Sequence, residues 1–320
     1  MENGILHELP LTLAEIALAR YRLSPHLSPS ALEHAPGLGD QVWLKLECTQ
    51  PTRSFKVRGA LNAMLALDSE ARSRGVITAS TGNHAQGIAY AAHKIGVRAR
   101  IVMPETAAKK KIAGVMRYGG EPILYGDHFD AAQEYALKLS RDENLTFVSA
   151  YNDRNVAAGQ GTIGLELLDA LPDLDRVIVP VGGGGMISGI AVAIRSLRPH
   201  CQIIGVNAAV SPEMYNIFYG AERPVSGNTL ADALPGDIEA ESITRPITKT
   251  LVDSIVLVDE DAIASAMRWL VSEHGWIGEG GGVVGIAALL TEAVPPGGKT
   301  AVVVSGGNVD VDRLAKVLSA

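Results

Sequence analysis

Short β-branched runs alternate with longer helical patterns from about residue 75 onward. GVITAS (75–80) is followed by AQGIAYAAHKIG, RARIVMPE, AAKKKIAGVMRYG, EPILYG and DAAQEYALKLSRDE, and LTFVSA (145–150) closes the series. Parallel strands require helical crossovers of this kind, so the pattern predicts an open parallel sheet covered on both faces. The alternation resumes with RVIVPVG (176–182), MISGIAVAIRSLRP, CQIIGVNA, SIVLVDE, the helix AIASAMRWLVSEHG, GVVGIAALLTE and AVVVSGG (301–307). No internal repeat or low-complexity linker separates the two series, so two units built on them meet closely. Open α/β sheets bind ligands at the carboxyl ends of their strands. Three glycine- or hydroxyl-rich segments fall at such ends: Ser80–Gly87, Gly182–Gly185 and Ser305–Asn308.

Composition narrows the ligand. With 320 residues, 47% of them hydrophobic, the chain can bury one large core or two smaller ones. A formal net charge of −7 provides no basic field for nucleic acid or an anionic membrane surface, which leaves a small molecule as the expected partner. The two cysteines, Cys48 and Cys201, lie far apart in apolar stretches and form neither a disulfide framework nor a zinc spacing, which fits a reducing cytoplasm. The N-terminus carries acidic residues and no uninterrupted apolar core, so no signal peptide is expected. The longest uncharged run, Val177 to Ile194, is broken by Pro180 and Gly182–Gly185 and reads as strand, loop and buried helix rather than a membrane span.

Four segments carry candidate chemistry. Gly182, Gly183, Gly184 and Gly185 stand between a strand and a helix, where residues without Cβ can turn their amides toward an anion. No Lys-Ser/Thr pair follows them, and Asn207 occupies the place after the next strand where a dinucleotide site has an acid, so a lone phosphate monoester fits better than a nucleotide. Taken alone, the loop fits a tight turn that binds nothing equally well. Lys56 opens an Ala- and Leu-rich helix in TRSFKVRGA; a lysine at a positive helix end loses its charge more easily, and the neutral amine attacks aldehydes, although most lysines are solvated surface charges. Ser80, Thr81, Asn83 and His84 lie in STGNHAQG, whose hydroxyls, amide and main-chain donors suit a carboxylate, or simply an N-cap and first helical turn. Ser305 ends the last apolar strand. Together these supply an amine, a carboxylate site, a phosphate cradle and a neutral hydroxyl, which are the requirements of pyridoxal 5'-phosphate (PLP).

SFKVRGA, STGNHAQG, AGQGTIGLELL, PVGGGGMISG and VVVSGGNVD also occur in the order found in fold-type II PLP enzymes of the tryptophan synthase β-like class. Over nearly its whole length the chain resembles the serine/threonine dehydratase and serine racemase family. The resemblance implies an α/β fold of two open, mostly parallel sheets with helices on both faces. A large cofactor domain would comprise residues 1–70 and 152–320, and a small mobile domain residues 71–151. It implies that Lys56 holds the cofactor as an imine with Phe55 packed near the ring, that Asn83 bonds the phenolic oxygen, and that Gly182–Gly185 and Met186 hold the phosphate. Ser305 would meet the pyridine nitrogen, Glu279 would lie near the active site, and Ser80, Thr81, Asn83 and His84 would surround the substrate carboxylate. A cytoplasmic homodimer is usual for such proteins. Because the chain stops soon after SGGNVD, a C-terminal regulatory domain and feedback inhibition by isoleucine are not expected.

The reaction so implied is dehydration of a β-hydroxy amino acid such as L-threonine or L-serine to a 2-oxo acid and ammonia, with Lys56 as the base and a neutral Ser305 favouring rapid elimination. Racemisation is the nearest rival, because Thr81 occupies the position of the serine that returns a proton in serine racemase. Its β-branched side chain is expected to fix that hydroxyl toward the carboxylate or backbone and so to make racemisation slow. Cysteine-synthase-like β-replacement, PLP binding without turnover, and dehydration of 3-hydroxyaspartate or an aryl-serine are further readings. Arg53 and Arg154 contact the substrate side chain or lie on the surface, and the surface is favoured. No strong metal activation is expected, because Asn207 replaces an acidic ligand and leaves Glu213 without a partner carboxylate.

Overall fold

The computed structural model describes residue 6 and residues 8–226, 229–295 and 297–319. Ten strands occur among them: β1 (Leu32–His34), β2 (Val42–Leu46), β3 (Val76–Ala79), β4 (Ala99–Met103), β5 (Glu121–Leu124), β6 (Thr146–Phe147), β7 (Arg176–Pro180), β8 (Gln202–Ala208), β9 (Ser254–Val258) and β10 (Thr300–Val304). They form a six-stranded sheet in the order β1-β2-β10-β7-β8-β9 and a four-stranded sheet in the order β5-β4-β3-β6. All pairings are parallel except that of β1 with β2.

The strands read as continuous apolar runs because both faces are covered. Val177 and Val179 pack with helix Gly185–Leu197 on one face, while Ile178 packs with helix Gly280–Leu290 on the other. Each such fully buried side chain contributes about 1.5–3 kcal/mol relative to exposure. The smaller sheet repeats the arrangement, with Val76 and Ile101 against helix Asn83–Ile95 and Ile77 and Val102 against helix Phe129–Asp142. Among the described residues no helix is long and apolar enough to cross a membrane.

The AGQGTIG motif acts in packing. It lies in helix Arg154–Ala170, which touches both helix Lys56–Ala66 and helix Gly185–Leu197. A Cβ on Gly159 would come 2.7 Å from the Arg58 carbonyl oxygen, and one on Gly189 would come 2.2 Å from that of Ala157. Glycine at these positions lets three backbones meet, and so sets Lys56 and the four-glycine loop at a fixed distance. Helices Lys56–Ala66 and Arg154–Ala170 share a largely buried charge cluster with Lys45 of β2 and Glu47 just after it. All five N–H bonds of the Arg58 guanidinium are used, on Glu47, Glu166 and Thr162. Lys45 completes the cluster, donating to Glu166 and to the Ser30 carbonyl at 2.6 and 2.8 Å.

Some elements have no counterpart in the sequence reading. Helix Leu13–Leu23 starts with a capping box between Thr12 and Glu15. Between β8 and β9 lie helices Glu213–Tyr219 and Thr244–Leu251.

Candidate active site

β2 and β10 run side by side in register to Leu46 and Val304, so the segments that follow them emerge together. The chain at 52–56 is then stitched to the chain at 305–308. Phe55 N donates to Ser305 O (3.0 Å), Gly307 N donates to Arg53 O (2.9 Å), and Ser54 and Gly306 form an antiparallel bridge. This fixes the first residue of helix Lys56–Ala66 beside Ser305, whose buried hydroxyl makes one long contact, 3.5 Å to Gly281 O.

The Lys56 Nζ lies 5.1 Å from the centre of the Phe55 ring and donates to Ala150 O across 2.8 Å. Burial lowers its pKa from the ordinary 10.5 to about 8, and the Glu279 charge opposes that shift only partly. An amine with that pKa exchanges readily between its charged and nucleophilic forms.

Ala150 belongs to a short crossing segment that serves several site elements. The Tyr151 ring fills the space in front of Gly183, where an added Cβ would lie 2.5 Å from Cγ, and the Tyr151 hydroxyl donates to Asp237 O at 3.2 Å. Gly184 has φ +86°, a conformation that disfavours a side chain, and Thr244 Oγ1 donates to Gly183 O at 2.8 Å. The main-chain N–H groups of Gly182, Gly183 and Gly184 donate to no protein group among the described residues. Those of the first turn of helix Gly185–Leu197, including Met186, lack intrahelical acceptors by geometry. The loop is therefore a concentration of unpaired donors at a positive helix end, and Tyr151, which packs against it, directly follows the residue whose carbonyl holds the Lys56 amine.

In the STGNHAQG segment, Ser80 Oγ accepts from Gly82 N (3.2 Å) and Ala85 N (3.3 Å) and so performs the capping of the turn. The Thr81 hydroxyl is left with no hydrogen-bond partner among the described residues, so the backbone does not fix it, and a substrate carboxylate is the other partner expected for it. Buried Asn83 donates to Glu279 Oε1 at 2.6 Å, and burial raises the Glu279 pKa to about 7. The His84 ring is a structural hydrogen-bond partner. Its Nε2 faces Val148 O at 3.1 Å, so that nitrogen carries the proton, and burial together with the Lys56 charge lowers the pKa to about 3. The buried Nδ1 is then a bare acceptor without a partner among the described residues, and the ring has no N–H left for a carboxylate. Any His84 contact with an anion comes from its main-chain N–H in the first helical turn.

Arg154 lies on the surface, paired with Glu15 at 2.8 Å, and Arg53 is exposed with φ +57°. Asn207 is structural: its Nδ2 donates to Val181 O (2.6 Å) and its Oδ1 accepts from Tyr215 N (3.0 Å). A surface cavity of about 310 Å³, lined in part by Asp40, Val42, Arg176 and Thr300, opens at the opposite ends of the strands and has no part in this site. Tyr151, Thr244 and Ala150 escaped the sequence reading. No local signal marks them, since each reaches the site only through the fold.

The donor set fits PLP: a lysine of depressed pKa, unpaired amides for a phosphate, a neutral buried hydroxyl and a carboxamide. Comparison with known proteins agrees. The family model described as "Pyridoxal-phosphate dependent enzyme" matches residues 23–306. The L-threonine ammonia-lyase of Thermotoga maritima is 42% identical over 97% of this chain and 78% of that protein. The catabolic L-threonine dehydratase TdcB of Escherichia coli (strain K12) is 36% identical over 98% of each. Among solved structures, maize serine racemase superposes with a TM-score of 0.90 at 31% identity, covering 97% of each chain. The processed form of threonine deaminase isoform 2 from Solanum lycopersicum gives 0.91 at 35%, covering all of this chain and 94% of that one.

Proposed function

This chain belongs to the pyridoxal-phosphate dependent enzymes, and we propose that within them it is an ammonia-lyase that converts L-threonine or L-serine to the 2-oxo acid and ammonia. The observation that carries the reading is the juxtaposition of the Lys56 amine, on Ala150 O, with the unpaired amides of Gly182–Gly184 behind Tyr151. Named relatives 36–42% identical over most of the chain support the substrate class.

When bound, PLP supplies an aldehyde for the amino group and a conjugated ring that accepts the electron pair left at the α-carbon. The protein does the rest. The four-glycine loop and the Met186 turn hold the phosphate dianion by main-chain donors, and glycine lets those donors approach closely. Lys56 acts as base toward the α-proton, a role suited to an amine near pKa 8 at neutral pH. Phe55 and Tyr151 cover the site from water, and Asn83 offers a carboxamide donor. Ser305, a hydroxyl rather than a carboxylate, leaves the ring nitrogen without an anionic partner. Main-chain N–H groups at the start of helix Asn83–Ile95, with Ser80 and Thr81 beside them, receive the substrate carboxylate. Residues 71–151, which carry the four-stranded sheet, form the small domain that closes over the substrate, and two copies of the chain assemble as a cytoplasmic homodimer.

A second, slower activity is favoured by one observation. The unpartnered Thr81 hydroxyl is available to return a proton, which racemisation requires on the face opposite Lys56.

The test is a panel of β-hydroxy amino acids assayed for 2-oxo acid and ammonia with wild type and Lys56→Ala. Wild type is expected to turn over L-threonine or L-serine, and the variant neither. Bound cofactor with no 2-oxo acid from any member of the panel would sink the lyase reading.

A further inference from the structure

Asn308 ends the SGGN turn, half-buried, and its polar atoms reach three separate parts of the chain. Its Nδ2 donates to Thr52 O and to Asn83 Oδ1, both at 2.8 Å, and its main-chain N donates to Glu279 Oε2 at 3.0 Å. Asn308 is absent from the positive-φ residues, so backbone conformation gives no reason for asparagine at this place.

These bonds determine how the Asn83 carboxamide is turned. Two carbonyl oxygens flank the Asn308 Nδ2, which can satisfy both only as a donor, so the group of Asn83 that faces it is the oxygen. The Asn83 nitrogen is thereby directed to Glu279, where Oε1 accepts one of its hydrogens at 2.6 Å. The second Nδ2 hydrogen has no protein acceptor among the described residues. The partners come from different sheets. Asn83 opens a helix of the four-stranded sheet, whereas Thr52, Glu279 and Asn308 follow or flank elements of the six-stranded one.

We propose that Asn308 is a positioning residue that, with Glu279, clamps the Asn83 carboxamide so that its one free N–H is presented to the bound cofactor. The proposal rests on the PLP reading above for the identity of the acceptor. The clamp itself is a property of the chain. It acts only while helix Asn83–Ile95 sits against the six-stranded sheet, so it couples the seating of that helix to the electronic environment of the cofactor.

The experiment compares wild-type holoenzyme with Asn308→Ala, Asn308→Asp, Asn83→Ala and the Asn83→Ala/Asn308→Ala double variant. It reads the pH titration of the visible band, the PLP dissociation constant and the thermal midpoint. Asn308→Ala is expected to move the titration midpoint in the same direction as Asn83→Ala. It should weaken PLP binding about fivefold, the order expected for one lost positioned hydrogen bond. It should add little once Asn83 is alanine. The isosteric Asn308→Asp turns acceptors toward Thr52 O and Asn83 Oδ1 and should be no better than alanine. Additive effects, full function of Asn308→Asp, or a lower thermal midpoint with unchanged band and affinity overturn the proposal. Side-chain amide NMR of Asn83 reads the clamp without cofactor: one Nδ2–H protected in wild type and lost in Asn308→Ala is expected, and equal exchange in both refutes it. A wild type that takes up no PLP yet shows that protected N–H would reject the functional reading and leave the clamp standing.

Discussion

The Lys56 Nζ donates to the main-chain oxygen of Ala150 across 2.8 Å, and the next residue, Tyr151, backs the glycine loop. One peptide therefore sets the distance between the amine and the phosphate donors, and the amine is held where water is scarce. Its pKa of about 8 follows from that burial.

Cofactor uptake should report this pKa. Only the neutral amine attacks an aldehyde, so the rate at which apo-protein develops the visible band is expected to rise about tenfold between pH 7 and pH 9 and then level off. An ordinary lysine would still be gaining rate at pH 10. Lys56→Ala should give no band and no covalent cofactor after borohydride. A rate still climbing steeply above pH 9 would contradict the burial argument.

His84 should remain neutral through the working range. Its folded pKa of about 3 lies below the ordinary 6.5. As pH falls the unfolded chain therefore takes the proton first, and the contribution of His84 to stability is intact above pH 6.5 and lost progressively toward pH 3. Imidazole ¹⁵N NMR should show an Nε2–H tautomer that does not titrate between pH 5 and 8. A midpoint near 6.5 would mean that the ring is solvated.

Arg58 should matter to stability far more than a surface arginine. Arg58→Met leaves the buried Glu47 and the partly buried Glu166 with Lys45 as the nearest cation and is expected to cost about 3–5 kcal/mol in denaturant unfolding. Arg58→Lys keeps the charge but cannot fork two carboxylates, and should fall between the two. A loss below 1 kcal/mol for Arg58→Met would show that the cluster rearranges freely.

Gly183→Ala drives a methyl group toward the Tyr151 ring, 2.5 Å from Cγ, on the loop expected to receive the phosphate. PLP affinity is expected to fall at least about tenfold, while affinity for pyridoxal, which lacks the phosphate, changes much less. Fluorescence titration with both ligands checks this, and equal losses would move the phosphate elsewhere.

Elimination should exceed racemisation, and Thr81→Ala should separate them. The variant is expected to form the 2-oxo acid within about threefold of wild type and to lose most D-isomer formation, because Thr81 carries the free hydroxyl. Chiral chromatography beside the 2-oxo acid assay measures both from one L-substrate. D-isomer outpacing 2-oxo acid in wild type, and lost in the variant, would make the chain a racemase first.

The alternation of β-branched runs with small-residue helices identified the α/β class and both parallel sheets, because strand and helix periods are local properties of the chain. GVVGIAALLTE carries little periodicity, since helix Gly280–Leu290 is apolar on all sides. Lys56, Asn83, the four glycines and Ser305 stood out as candidates because strand ends with glycine or hydroxyls are few. The role of the His84 ring was not legible. Helix-start histidines look alike in sequence whether they face a ligand or, as here, a main-chain oxygen 64 residues away.

The sequence by itself determined the chemistry present: an amine at a helix start, amides freed of Cβ, and a hydroxyl closing a strand. These depend on residue type and on nearest neighbours. Only the tertiary structure decided what each group faces. Asn83 meets Glu279 and Asn308, 196 and 225 positions along the chain, and Arg154 turns away to Glu15. The physical reason is that a hydrogen bond requires two atoms within about 3 Å, and whether distant segments come that close is set by sheet order and helix packing rather than by any local pattern.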